Sequence, residues 1–561
     1  MSQQRQAERS VVSQVNTKVE ELAKEAIAGR VGIPSENAAV KLQEAAQAQG
    51  CPSIGAVRGG AADPFDTTHL MADIKGRSVR GGAVTLTSQA AKFVLHLSST
   101  MVLARLLVPD DYGLVAMVTA IVGFATLFKD LGLSMATVQR EEITHEQVSS
   151  LFWVNVVISI LIAVTLCIIA PLVSLFYHEP RLTRITLALA CTFIFSGLTV
   201  QHQALLRRQM KFTVLAVIEI GSMAVGVSAA IAMAYWGAGY WALVGLPMGS
   251  AITNAVLVWS LCRWRPGLPR GGTGVRPMLK FGSHMTGFSL VNYFSRNLDH
   301  ILLGRYYGTG VLGLYSKAYQ IMMLPVNQIR GPLDSVAMPA LSRMQDDPER
   351  YRRCYLKMTG LLAFLSMPLM VFLFVCAEEI ILLLLGPNWT GATAIFKVLC
   401  IVSLIQPIAS TRGLVLVSMG HSQRYLRWGI ANGVITAAAF VAGLPWGAIG
   451  VAVAYTIANY IILVPSLWYC FGGTKIRVQD FFASCAGPMI ASILMGAIVT
   501  FVHSSVANSP ILLSLAMLLS VGILAYLAVW CIIPQGRVYL GELMKYVTDL
   551  MGSHEGQASQ V

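Results

Sequence analysis

Ser88, Lys92, His96 and Ser99 recur at i, i+4, i+8 and i+11 inside an otherwise apolar run, so on a helix they share one face. Two hundred residues later His284, Phe288, Asn292, Arg296 and Asp299 run in similar steps. At that offset Lys92 meets Asn292, His96 meets Arg296 and Ser99 meets Asp299. Ionisable groups inside hydrocarbon are costly and normally face a cavity or a partner. Others fall in the apolar runs: Lys129, Asp130, Glu219, Arg330, Asp334, Lys397 and Arg412. Helical spacing offers closed pairs for Arg296 with Asp299 and for Arg330 with Asp334. Lys129 and Lys397 can snorkel, and Glu378 and Glu379 are expected at an interface. His300 is expected to pack away from Asp299. Lys92, His96, Arg296 and Arg412, with Asn292 beside them, are left for a water-filled cleft of net positive charge, which would attract an anion.

The elements that must position these groups are transmembrane helices. Hydrophobic residues make up 55% of the chain and charged ones 12%, where soluble domains carry about 25% charge; mean hydropathy is +0.63. Runs of about 20 apolar residues recur without the alternation of a β-barrel. They predict about fourteen spans, at 82–104, 113–135, 150–176, 184–204, 213–234, 238–261, 279–303, 319–341, 358–385, 393–418, 425–444, 447–470, 481–503 and 510–533. One set of loops holds about eighteen cations, among them Arg207, Arg265, Arg353 and Arg427. The other holds about five: Arg105, Arg181, Arg184, Arg305 and Lys317. The positive-inside rule puts the first set and both termini in the cytoplasm. The net charge of +13 belongs to those loops, where anionic lipid headgroups want it, and does not signal nucleic acid.

The same local pattern occurs twice, from Ala104-Arg105 to Gly113-Leu114 and from Gly304-Arg305 to Gly313-Leu314. A second matched block, Trp236-Gly237-Ala238 with Trp446-Gly447-Ala448, comes later in each half. Each half therefore holds six helices with the same topology, related by an axis along the membrane normal. The expected fold is an all-α integral membrane protein: two pseudo-symmetric six-helix bundles around a central cleft plus two extra C-terminal helices. The bundles cover 81–265 and 266–475, the extra helices 476–535, and a cytoplasmic tail 536–561. Residues 1–80 are rich in Ala, Gln, Glu and Ser and predict a cytoplasmic extension, disordered or partly helical, with an amphipathic stretch at Val15–Arg30. An equal alternative, prompted by the family resemblance given below, is that translation starts at Met71, shortly before the first span. The cysteines are scattered without CxxC spacing, so neither a disulfide framework, a metal nor a cofactor is expected.

The run Leu103-Ala104-Arg105-Leu106-Leu107-Val108-Pro109-Asp110-Asp111-Tyr112-Gly113-Leu114 resembles the signature of polysaccharide flippases. So do Asp130-Leu131-Gly132-Leu133, Gln147-Val148-Ser149-Ser150-Leu151-Phe152-Trp153, Leu205 to Phe212, and Asn297 to Arg305. Across about residues 71–535 the chain resembles the polysaccharide transporter (Wzx-type, lipopolysaccharide-biosynthesis) family of the multidrug/oligosaccharidyl-lipid/polysaccharide superfamily. The resemblance implies an inner-membrane flippase of bacteria. Its cargo would be an undecaprenyl-pyrophosphate-linked oligosaccharide repeat unit, moved from the cytoplasmic to the periplasmic leaflet by alternating access. It implies coupling to an ion gradient, with protons the expected ion, for which His96, Asp299 and Glu219 are the candidate carriers. Membrane lipids, a polysaccharide polymerase and a chain-length regulator are the implied partners. Lys and Arg would screen the pyrophosphate. Tyr293, Tyr306, Tyr307 and Trp241 could stack on sugars or form the interfacial aromatic belt.

Two carriers of the same superfamily compete with this expectation. A lipid-II-type precursor flippase needs the same cationic cleft. A multidrug exporter needs an acidic, aromatic one. A membrane polysaccharide polymerase needs a large outer loop, and the loops on the less basic side are short. The chain has no P-loop, which argues against direct ATP drive.

Overall fold

The computed structural model describes residues 74–130, 132–140, 143–268, 276–506 and 509–532. The expectations for Val15–Arg30, for Met71 and for the tail after 532 lie outside them, as do the side chains of His284, Asn292 and Arg296.

The described residues form α-helices joined by turns, with no strand among them. The first half comprises α1 (Ile74–Leu106), α2 (Pro109–Thr126), α3 (Leu133–Gln139), α4 (His145–Tyr177), α5 (Arg181–Gly197), α6 (Val200–Arg208), α7 (Phe212–Tyr235) and α8 (Tyr240–Leu261). The second comprises α9 (Arg276–Ser342), α10 (Pro348–Val375), α11 (Ala377–Leu384), α12 (Ala392–Ser403), α13 (Gln406–Ser418), α14 (Ser422–Gly443) and α15 (Gly447–Phe471). Helices α16 (Val478–Val506) and α17 (Ile511–Ile532) complete the order. Local chemistry sets several ends. Thr144 and Gln147 exchange side-chain-to-backbone hydrogen bonds of 3.3 and 3.2 Å at the start of α4, and Asp347 accepts from the Arg350 amide at 3.0 Å to cap α10. Pro109 occupies the first turn of α2, where its missing N–H costs nothing.

Among the described residues eight helical stretches are long and apolar enough to cross a membrane, nine if the bent pair α12–α13 counts as one more. One of the eight contains both α14 and α15. On α4 Val157, Leu161, Val164, Ile168, Leu172 and Leu175 lie exposed at helical spacing, an apolar stripe that suits lipid and not water.

Several expected spans are corrected in detail. The second helix stops at Thr126, so Lys129 and Asp130 sit in the turn beyond it, where Asp130 accepts from the backbone and hydroxyl of Ser134. The fourth span divides at Leu198–Thr199 into α5 and α6. The ninth divides at Cys376 into α10 and α11, and the tenth bends by 41° between α12 and α13. The seventh and eighth are two arms of α9, folded at Gly308, whose φ of 77° favours glycine. The second arm resumes at once, which places Lys317 within a helix, buried, rather than in a weakly basic loop. Gly308, Gly310 and Gly313 suggest a loop in sequence; two of them instead shape a helix junction and a helix contact.

The two halves share a core at one end only. Leu103, Leu114, Leu303, Tyr315 and Trp389 belong to a single buried cluster. Toward the other end each half has its own: Leu133, Phe152 and Leu205 in the first, Leu341, Tyr355 and Phe471 in the second. The halves thus share one core at the Gly308 end and keep separate cores at the end rich in basic residues, where α3 still touches α9.

Candidate functional site

The fused end is built from the duplicated motif. A Cβ added to Gly113 would overlap the Thr309 carbonyl, and one added to Gly313 would overlap the Pro109 carbonyl. These four residues are repeat equivalents in pairs, so α2 and the second arm of α9 touch backbone to backbone across the pseudo-twofold axis. Asp110 accepts from Thr309 Oγ1 at 2.6 Å. Arg105 donates to the Leu383 carbonyl at 2.9 Å. Trp389, fully buried, donates through Nε1 to the Ala104 carbonyl at 2.8 Å and packs edge-on against Tyr112. We call this contact the seam.

A polar seat lies beside the seam. Lys317 Nζ donates to Gln320 Oε1 at 2.8 Å and stands 4.2 Å from the centroid of the Tyr112 ring. Gln320 Nε2 lies 3.1 Å from His96 Nε2. His96 thus faces the second half across the seam, bonded to a residue that sequence reasoning did not select.

The cavity proper, of about 210 Å³, is lined among the described residues by the second half alone. Asp299 comes from the first arm of α9, Arg330 from the second, Arg412 from α13, Asn432 from α14, and Tyr455 and Asn459 from α15. Asn327 and Gln406 add two further carboxamides. Arg330 is closed on Asp334 at 2.8 Å, the i, i+4 pair that the spacing suggests. Arg412 has no carboxylate partner among the described residues; its guanidinium lies 5.1 Å from the Trp428 ring centroid. Gln406 donates to the Tyr455 hydroxyl at 3.3 Å while its Oε1 is buried without a partner. Such a lining offers one unneutralised cation, several two-sided amide groups and tyrosine rings, a set that binds anions and hydroxyls.

Asp299 is 2% exposed. Tyr315 donates to its Oδ2 at 2.9 Å, and its Oδ1 lies 2.9 Å from His300 Nδ1. This corrects the expectation for His300: the imidazole turns back onto its neighbour. Lys92 is in an ion pair with Glu219 of α7 at 2.6 Å, inside the first half, and so is not a free cation. The structure therefore joins Lys92 to Glu219, puts His96 at the seam, and puts Asp299 and Arg412 on one cavity. Sequence reasoning missed the carboxamides Asn327, Gln406, Asn432 and Asn459. The signal for them is their position in apolar helices, where an amide needs a partner as a charge does. Of the candidate stacking aromatics, Tyr293 is bonded to the Ala120 carbonyl at 2.6 Å and Tyr307 to the Leu444 carbonyl at 2.6 Å, so both hold helices together.

Two helical halves joined by a shared core around the repeated motif are the frame of a membrane carrier, and solved structures share the fold. The lipid II flippase MurJ in an inward closed conformation superimposes with a TM-score of 0.66, covering 82% of this chain and 100% of that one at 16% identity. A multidrug resistance MATE family transporter of the MOP superfamily, in an inward-facing conformation, does so with a TM-score of 0.54, covering 70% and 94% at 14% identity, and this chain shares their fold. A family model described as polysaccharide biosynthesis protein matches residues 102–394, and this chain belongs to that family. It is 27% identical to the teichuronic acid biosynthesis protein TuaB of Bacillus subtilis over 420 residues, 72% of this chain and 85% of the relative. It is 25% identical to the lipopolysaccharide biosynthesis protein WzxC of Escherichia coli over 401 residues, 70% and 82% respectively.

Proposed function

We propose that this protein is a flippase that carries an undecaprenyl-pyrophosphate-linked oligosaccharide from the cytoplasmic to the periplasmic leaflet of a bacterial inner membrane. The observation that carries the proposal is the second-half cavity: an arginine without a carboxylate partner among the described residues, beside four carboxamides, set among apolar helices. A pyrophosphate-linked glycan cannot cross hydrocarbon unaided, because its charge and hydroxyls lose their water. Arg412 meets the anionic head; His96, Asn292 and Arg296 of the polar helices are its candidate partners along the path, while Lys92 is taken up by Glu219. The amides and tyrosines exchange hydrogen bonds with sugar hydroxyls, and the prenyl tail stays in lipid. Basic loops and both termini face the cytoplasm, so the fused seam is the periplasmic gate and the separately packed end is the cytoplasmic entrance. Alternation moves the seal from one end to the other. Coupling to an ion gradient supplies direction, and polymerase and chain-length regulator take the delivered unit.

A lipid-linked precursor of different glycan composition would fit the same cavity chemistry. A cationic drug is disfavoured by Arg412, which no carboxylate neutralises among the described residues.

The test is surface polysaccharide made by a strain whose own copy of this gene has been replaced. Charge-assisted hydrogen bonds contribute about 1.5–3 kcal/mol, so Arg412→Met should lower export by about tenfold or more with normal protein in the membrane. Arg412→Lys should restore part of it. Undiminished export in Arg412→Met overturns the assignment.

A further inference from the structure

We propose that Lys317 is a proton-binding site that opens and closes the seam. This rests on the carrier reading, but its test uses no glycan.

Lys317 is 7% exposed. Its polar contacts are a neutral carboxamide and an aromatic ring, Gln320 and Tyr112. The titratable groups facing it are His96 from α1 and Tyr112 from α2. No carboxylate pairs with it among the described residues. The nearby acids of the α1–α2 corner are engaged at the surface: Asp110 with Thr309, and Asp111 with the Val108 amide. An ammonium taken out of water without a counter-ion is unfavourable, and a π face compensates only part of the loss.

Position turns that chemistry into a linkage. Lys317 belongs to the second half, and Tyr112 and His96 to the first. Tyr112 directly precedes Gly113, where the backbones touch. Parting the seam removes the ring from above Lys317 and admits water to its ammonium. Protonation of Lys317 therefore favours the parted seam, and loss of the proton favours the closed one. In a cycle, Lys317 Nζ takes one proton from water on the periplasmic side while the seam is open. It gives that proton up to water of the cytoplasmic entrance after the seam closes. The exchange is one proton inward for each cargo moved outward. Asp299 and Glu219 are not needed as carriers, because each already holds a partner within one half.

The probe is the distance between spin labels at Trp236→Cys and Trp446→Cys, repeat-equivalent exposed positions, in the full chain with native cysteines replaced. Wild type should shift toward longer separations as pH falls. Lys317→Met should stay at the short separation at every pH. Lys317→Arg, whose charge no accessible pH removes, should stay at the long one. His96→Gln should keep the wild-type shift. A pH shift retained in Lys317→Met, or none in wild type, overturns the proposal. Adding undecaprenyl pyrophosphate tests the carrier reading separately: pH-driven opening that the lipid never alters would leave the proton site standing and count against the proposed cargo.

Discussion

The two halves share one repeated pattern yet treat their polar residues in opposite ways. In the first, Lys92 of α1 and Glu219 of α7 close on each other at 2.6 Å. In the second, the equivalent of Lys92 is Asn292, and the offset of 210 set by Trp236 and Trp446 makes Gly429 the equivalent of Glu219. A Cβ at Gly429 would meet nothing within 4 Å. The charge pair is missing there, and the cavity with Arg412 lies in the same half. The two copies share a sequence frame and hold different polar groups, although neither Asn292 nor Gly429 lines that cavity among the described residues. A helix bundle can thus be symmetric in how it moves and asymmetric in what it holds.

The symmetric part can be broken first, with the largest expected effect. Gly113→Leu and Gly313→Leu each push a side chain into the opposite half's backbone. Overpacking costs about 1–3 kcal/mol where side chains can yield; a backbone carbonyl yields less, so both variants should fall at or beyond the upper end. Thermal unfolding in detergent measures this. Gly331→Ala, with open space around it, is the control and should cost nothing. If one leucine is tolerated and its counterpart is not, the seam is not the symmetric contact described.

The asymmetric part is sharpened by making the second half resemble the first. Gly429→Glu meets no steric obstacle but puts an unpaired carboxylate in a candidate membrane span, so alone it should lower stability. Added to it, Asn292→Lys supplies the two residue types that pair in the first half. Either variant should reduce polysaccharide export, the double by about tenfold, the order set by one charge-assisted contact of ~1.5 kcal/mol. Full export by the double variant would show that the missing pair has no bearing on cargo.

Composition and the 200-residue repeat were enough to expect two like helical halves, because apolar length and duplicated motifs are properties of the chain alone. The breaks inside spans were not legible. Apolarity continues across Leu198, Cys376 and Leu404 while the backbone turns, and hydropathy does not register backbone direction. Helical spacing correctly closed Arg330 on Asp334, since both lie on one helix. It could not find Lys92 with Glu219, 127 residues apart, nor Lys317 with Tyr112, whose meeting depends on how the halves dock. Glycine was the most misleading residue: the Gly308–Gly313 segment suggests a loop, yet Gly313 serves close helix contact and Gly308 alone makes the turn.

The smallest effect separates symmetry of position from symmetry of chemistry. Arg105 and Arg305 are repeat equivalents, and each reaches into the other half. Arg105 does so through a hydrogen bond to the Leu383 carbonyl. Arg305 does so by lying 5.8 Å from the Phe176 ring centroid, with Tyr306 on its own helix at 5.9 Å. Arg105→Met should cost about 1 kcal/mol, the net worth of one hydrogen bond. Arg305→Met should cost about 0.5–1 kcal/mol, the range for a cation over a ring near the surface. The two sites share no partner, so the double variant should lose the sum in thermal unfolding. A coupling larger than ~0.5 kcal/mol between them would mean that the two corners release together, and that the seam opens as one cooperative latch rather than by independent contacts.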